Sequence, residues 1–260
     1  MKKLFPTLFV FLLLASFTCT TLNAQEEEYY QLKTYTIKNE KQESAMDLYL
    51  KEALLPALNK TGITQVGVFK LRPNKFTLAN KIYVLIPFSS LSQFEGLDKR
   101  LSEDKDYQLA GSDYINASFK NPPYERFTST ILRAFTGMPK LLPSPVEGPR
   151  ADRVYELRSY ESPTEKTYLN KVAMFNAGGE IKLFNDLGFN AVFYAKVISG
   201  DHMPNLMYMT THTNMEQRDA KWDTFRNSPV WKKLSAEKKY KNNMNKADIL
   251  LLYPTEYSDY

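Results

Sequence analysis

Two segments of this chain echo each other: "YYQLKTYTI" from Tyr29 and "VYELRSYES" from Val154. Tyr30-Gln31-Leu32-Lys33-Thr34-Tyr35 aligns with Tyr155-Glu156-Leu157-Arg158-Ser159-Tyr160, type for type. An internal repeat limits the possible architectures more than any composition does, because each copy must be one structural unit. Each echo is an alternating strand candidate followed by a long helical stretch, a glycine and a second strand, "TGITQVGVFKL" in one half and "LGFNAVFYAKV" in the other. A third strand follows, "KIYVLIPF" or "NLMYMTTHT", then a helical region holding Gln93 or Gln217, and a last strand near "ADILLLYP" closes the chain. This is the ferredoxin-like order. Such a sheet carries helices on one face only, so its other face needs a partner, which a duplicated chain supplies by pairing its two sheets. The fold expected is α+β, with two ferredoxin-like repeats forming a dimeric α/β-barrel within one chain. The halves span 25–136 and 153–260, and a proline-rich linker, 137–152, joins them.

The chain opens "MKKLFPTLFVFLLLASFTCTTLNAQEEE", the three-part layout of a secretory signal peptide over 1–24. Cleavage is expected after Ala24, which makes the protein periplasmic or secreted. Phe17, close before Cys19, argues against lipidation of that thiol. Cys19 is the only cysteine, so the cleaved chain has neither disulfides nor Cys-based metal sites. The formal charge of +5 falls to +3 without Lys2 and Lys3, and the other basic residues alternate with acids. No basic stripe marks a nucleic-acid partner, and nothing after the signal resembles a transmembrane anchor.

Four motifs resemble the NIPSNAP family: "VYELRSYES", "KVAMFNAGGEIKLF", "GDHMPNLMYM" and "WDTFRNSPVWKKL". "ILRAFTGMPKL" resembles the segment that joins tandem copies in its bacterial members. The resemblance implies the dimeric α/β-barrel superfamily. Its members include cofactor-free monooxygenases, cyclases, isomerases and haem proteins, a spread that leaves function to be argued from the site.

The stretch "KVAMFNAGGEIKLFNDLG", read as one helix from Lys171 to Gly188, puts Val172, Met174, Ile181, Leu183 and Phe184 on an apolar arc and Lys171, Lys182, Asn185 and Asp186 on the other. Glu180 falls within the apolar arc, with Asn176 one turn earlier. A buried carboxylate needs a partner or a raised pKa, so Glu180 is either a structural ion pair or cap, or part of a site, with Arg158 or a histidine as the expected partner. Gly178 and Gly179 weaken a helix and fit close packing or the approach of a ligand. Strand alternation assigns Tyr155 and Leu157 to the helix-covered face. It turns Glu156, Arg158 and Tyr160, with Lys33 and Tyr35 of the first half, toward the space between the sheets. Tyr208, Thr210 and His212 share a strand face that could aim there too. The catalytic candidates are Glu180, His212 and Tyr160. The ligand-binding set is Arg158, Tyr160, Asn176, Glu180, Tyr208, His212, Lys33 and Tyr35, suited to an anionic or carbonyl-bearing small molecule in an interior cavity. The two histidines, His202 and His212, lack zinc-ligand spacing, so no metal and no cofactor is expected; haem ligation rests on superfamily analogy alone. There is no G-x-S-x-G, P-loop or G-x-G-x-x-G. Trp222, Phe225 and Trp231 are expected to pack on the barrel exterior, with Tyr107 and Tyr114 closing the same side of the first half. Small-molecule binding, cofactor-free catalysis and a protein-interaction role stay open, as does homo-oligomerisation.

Overall fold

The computed structural model describes residues 26–72 and 80–260. The expected signal segment, with Cys19 and the cleavage point after Ala24, lies outside the described residues.

Each half has the same element order. In the first, β1 (Tyr29–Ile37) leads into α1 (Glu40–Tyr49), which continues through one π-helical turn, Leu50–Leu54, into α2 (Leu55–Lys60). Then come β2 (Gly67–Leu71), β3 (Asn80–Phe88), four short helices α3 to α6 (Leu91–Glu95, Leu97–Glu103, Lys105–Ala110, Ser112–Ile115) and β4 (Arg126–Ala134). In the second, β5 (Val154–Glu161) leads to α7 (Glu165–Asn176) and α8 (Glu180–Asp186), then β6 (Ala191–Ser199) and β7 (Asn205–His212). Helices α9 (Met215–Asn227) and α10 (Pro229–Ala236) precede β8 (Lys246–Pro254).

Equivalent helices start by the same local device. Ser90 and Asn214 accept from the backbone N–H of Gln93 and Gln217. Each glutamine reaches back to the N–H of Ser89 or Thr213, at 2.7 and 2.9 Å. Asn39 and Gln42 repeat the exchange at the head of α1. Satisfying orphan donors on both sides of the start fixes where each helix begins.

The strands close into one antiparallel barrel in the order β1-β3-β2-β8-β5-β7-β6-β4. Each half keeps its ferredoxin-like order, and the halves join at two seams. Phe69 faces Pro254 and Leu71 faces Leu252 at one; Leu132 faces Val197 and Ala134 faces Ala195 at the other. Closure gives every strand a neighbour on each side. An eight-stranded barrel is just wide enough for side chains to fill, and they do. Tyr30, Leu32, Phe69, Leu85, Leu132, Tyr155, Leu157, Phe193, Met209 and Leu252, from all eight strands, belong to a single buried cluster together with Tyr83 of β3. Separate clusters lie beneath the helices of the first and the second half.

This reverses the face expected of the first strands. Tyr155 and Leu157 point into the barrel, while Tyr160 and Tyr35 lie under the helices of their own halves. The interior is an aromatic and aliphatic core, and the polar cavity expected between the sheets is replaced by packed side chains.

The segment 137–152 is a strap without regular secondary structure that crosses the barrel end. Leu141 enters the interior cluster, its N–H donates to Glu28 Oε2 at 2.8 Å, and Leu142 N–H bonds Val192 O at 3.0 Å.

Candidate functional site

Beneath α7, α8 and α9, on the outer face of the second-half sheet, most of the expected site residues come together. The parity of β5 sets Glu156, Arg158 and Tyr160 on that face, and β7 adds Tyr208, Thr210 and His212. Glu156 is completely buried. Arg158 Nε donates to its Oε1 at 2.6 Å, Arg218 Nε to Oε2 at 2.8 Å, and the Trp222 indole N–H to Oε2 at 2.8 Å. Burial pushes this carboxyl up, but Arg218, Arg158 and the indole outweigh it and hold the pKa below the usual glutamate range. The Arg158 guanidinium stacks 3.7 Å from the centre of the Trp222 ring and donates to Tyr160 Oη at 2.9 Å. Tyr160 Oη lies 2.8 Å from Tyr208 Oη. A relay of polar contacts therefore runs from Arg218 through Glu156 and Arg158 to two tyrosines, walled by Phe175, Phe184 and Phe225.

Glu180 sits near this relay but pairs elsewhere. Its Oε2 accepts from Lys171 Nζ at 3.0 Å, and the two side chains are 3% and 6% exposed. Neither Arg158 nor a histidine is its partner, contrary to the expectation. The stretch from Lys171 is two helices, and the helical wheel does not continue across the break. Gly179, with φ +87°, takes the left-handed conformation that ends one helix and starts the next. Lys171, expected on the polar arc, is buried beside Glu180, and Phe175 is buried with it. Burial pushes the Glu180 carboxyl up, and Lys171 opposes the shift. Gly178 serves packing, since a Cβ there would stand 2.5 Å from Met174 O and 3.0 Å from Tyr240 Oη.

Asn176 is not in this cluster's polar network. Its Oδ1 accepts from Gly137 N–H at 2.8 Å and Thr136 Oγ1 at 3.2 Å, and its Nδ2 donates to Val172 O, so it pins the start of the strap to α7. His212 is fully buried, its Nε2 4.0 Å from Glu156 Oε2 and its Nδ1 without a hydrogen-bond partner. Burial lowers its pKa to about 4, so it is neutral at physiological pH. His202 lies in an exposed turn, 3.5 Å from Glu161. Lys33 and Tyr35 are beneath the first-half helices, apart from the second-half set. Trp222, Phe225 and Trp231 pack outside the barrel, as do Tyr107 and Tyr114. The sequence reading missed Lys171, Arg218 and the indole of Trp222 as partners. Arg218 and Trp222 stand four apart in "QRDAKWD", one helical turn, which is the signal that could have paired both with one carboxylate.

Beside this cluster, between the strap and the turn from α8 into β6, lies a groove of about 590 Å³. Met138, Pro139, Leu142, Pro143, Pro145 and Ala191 give it an apolar wall; Lys140, Asn185 and Asn190 supply polar groups. None of the expected site residues lines it. Among the described residues, no helix is long and apolar enough to cross a membrane, and no group of three or more His, Cys, Asp or Glu could hold a metal ion.

Residues 155–259 match the NIPSNAP family. The NIPSNAP match thus spans the strands and helices that build the buried relay. No curated protein matches the chain. Among solved structures, a candidate monooxygenase from Fusobacterium nucleatum is similar over 88% of this chain and 93% of its own, at 8% identity and a TM-score of 0.57. A second, from Lactobacillus acidophilus, covers 88% and 94% at 12% identity and a TM-score of 0.55. An anthrone oxidase-like protein covers 90% and 93% at 11% identity and a TM-score of 0.52. At these identities the likeness shows the fold, a dimeric α/β-barrel completed within one chain.

Proposed function

We propose that this protein is an exported, tandem NIPSNAP-like barrel that binds an amphipathic small molecule in the groove between its strap and its second half. The observation that carries this reading is the groove itself. Its volume of about 590 Å³ falls within the roughly 300–1,000 Å³ of ligand sites, and an apolar wall with a few polar groups is their usual make-up. Met138 and Leu142 would hold a hydrocarbon body, and the Lys140 ammonium with the amides of Asn185 and Asn190 would favour a carboxylate or carbonyl end. Export is supported by the layout of the first 24 residues, and duplication by the matching element order and helix caps of the halves.

A cofactor-independent enzyme is the second reading, favoured by the fold shared with the monooxygenase-type structures. It would need Glu180, Tyr160 or His212 to meet a substrate. Glu180 and Tyr160 are engaged by Lys171, Arg158 and Tyr208, and all three are enclosed, so binding is the better supported role.

Calorimetric titration with dodecanoate tests the proposal. Saturable binding at one site per chain, weakened at least tenfold by Leu142→Glu, is expected. Leu142 is 51% exposed, so the substitution should leave stability within about 0.5 kcal/mol. Absence of binding, or binding indifferent to Leu142→Glu, would refute it.

A further inference from the structure

Charge is not spread evenly over the two halves. Residues 229–245, which form α10 and the 3₁₀ turn Lys238–Tyr240 before β8, hold five lysines, Lys232, Lys233, Lys238, Lys239 and Lys241, against one acid, Glu237. The counterpart in the first half, residues 105–125 with α5, α6 and the loop into β4, holds Asp106, Asp113 and Glu125 against Lys105 and Lys120. Elsewhere basic residues alternate with acids, so the charge of the whole chain conceals this local excess.

Packing turns the excess outward. Leu234 and Tyr240 are buried with Met174 of α7, and Trp231 packs partly against them. Asn243 is buried too, its Nδ2 donating to Asn170 Oδ1 at 3.0 Å. These residues tether the segment to α7 and leave all five lysines exposed, along a helix about 12 Å long and the turn after it. Among the described residues, Lys239 alone of the five meets a carboxylate, Glu237 at 3.0 Å. On α8 and α9, which pack beside α10, Asp186 is paired with Lys182, Asp219 with Arg218 and Asp223 with Arg226. The potential above the segment is therefore positive.

Apolar side chains stand among these charges. Val230 is 58% exposed at the start of α10, Leu169 60% exposed on α7, and Met244 38% exposed before β8. Leu169 and Met244 adjoin the hydrogen-bonded pair Asn170 and Asn243. A nucleic acid or another soluble polyanion gains nothing from such groups. A bilayer with anionic headgroups uses both, since the lysines meet phosphates while the apolar side chains enter the boundary between headgroups and acyl chains.

We propose that this face, α10 with the turn after it and the adjoining surface of α7, docks the protein on an anionic lipid bilayer. Attachment is peripheral and reversible, because it rests on exposed lysines, each worth about fivefold in affinity near an anionic surface, and on a few apolar side chains. The surface is separate from the strap groove and does not depend on it.

The test is co-sedimentation of the full cleaved protein with vesicles of phosphatidylcholine and phosphatidylglycerol in equal parts, against vesicles of phosphatidylcholine alone. The protein should bind the mixed vesicles only, and lose them when salt is raised to about 0.5 M. Lys232→Gln/Lys233→Gln/Lys238→Gln/Lys241→Gln should weaken binding at least about hundredfold, and Leu169→Ser/Val230→Ser about tenfold. All these positions are exposed, so neither variant should shift the melting temperature appreciably. Lys41→Gln/Lys105→Gln/Lys120→Gln, the same kind of change in the first half, should leave vesicle binding unaltered. The four-lysine variant should bind dodecanoate as the wild type does, which separates this face from the groove. Equal binding to phosphatidylcholine, or binding unchanged in the four-lysine variant, would overturn the proposal. So would equally tight binding of double-stranded DNA with no effect of Leu169→Ser/Val230→Ser, the mark of a surface for any polyanion. Self-association at low salt that the four-lysine variant abolishes would assign the face to a second copy instead.

Discussion

Replacing Glu180 by Leu should expose what the Lys171 pair contributes. The carboxylate and ammonium are 3.0 Å apart with side chains 3% and 6% exposed, so water cannot solvate whichever charge is left alone. Removing one partner of such a pair costs about 3–5 kcal/mol. The leftover ammonium of Glu180→Leu has Phe175, Tyr160 and Trp231 rings at 4.8, 5.7 and 6.0 Å. Cation–π attraction offsets up to about 2 kcal/mol when desolvated, so the lower end, about 3 kcal/mol, is expected. Lys171→Met should cost less, because Glu180 can take up a proton, as burial already favours. In that variant the folded pKa lies above the unfolded one, so the group's stability is fully present below the ordinary glutamate range and is lost as pH rises through the folded value. The double variant Lys171→Met/Glu180→Leu should return to wild-type stability or exceed it, since an apolar pair of similar volume avoids both desolvation costs. Urea denaturation followed by circular dichroism at pH 5 and pH 7 measures all four species. Additive single effects, or a Glu180→Leu loss under about 0.5 kcal/mol, would refute a buried, coupled pair.

Other predictions follow from single features. His212, held neutral by burial at a pKa of about 4, favours the folded state above the ordinary value of 6.5; about 3 kcal/mol should be lost as pH falls from 6.5 through 4, and His212→Asn should flatten that part of the pH–stability curve. Gly179 has φ +87° and no atom within 4 Å of an added Cβ, so Gly179→Asn meets only the strain of the left-handed backbone and should cost about 1 kcal/mol; Gly178→Asn must push on the α7 backbone at 2.5 Å and should cost more, about 1–3 kcal/mol or above, by thermal melts. The halves 26–136 and 153–260, expressed separately, should aggregate, because each would expose the barrel core and two strand edges; soluble, cooperatively folding halves would count against the single-barrel account.

The order of strands and helices was legible in the sequence, because period-two and helical patterns act locally. Which strand face points inward was not. In a closed barrel clad with helices both faces are buried, and Tyr155-Glu156-Leu157-Arg158 alternates between an apolar interior and a helix-covered layer whose charges are paired. Alternation fixes the parity of such a strand and leaves its direction open. Glu180 was recognised as a buried carboxylate, but its partner was hidden by one dihedral angle. With Gly179 in the left-handed region, a single 100° wheel no longer relates Lys171 to Glu180, and a residue assigned to solvent becomes the counter-ion. The groove was invisible for a different reason. Its walls come from a strap and a turn that are 40 or more residues apart, and no periodicity links them.

The most direct test of the proposed role is a crystal structure of the cleaved protein grown with dodecanoate. The account predicts ligand density in the groove, with the chain against Met138 and Leu142 and the carboxylate near Lys140, Asn185 or Asn190, and an unaltered barrel core around Phe69, Tyr155 and Phe193. Ligand density inside the barrel, or beneath α7 to α9 with the Lys171–Glu180 pair opened, would contradict it.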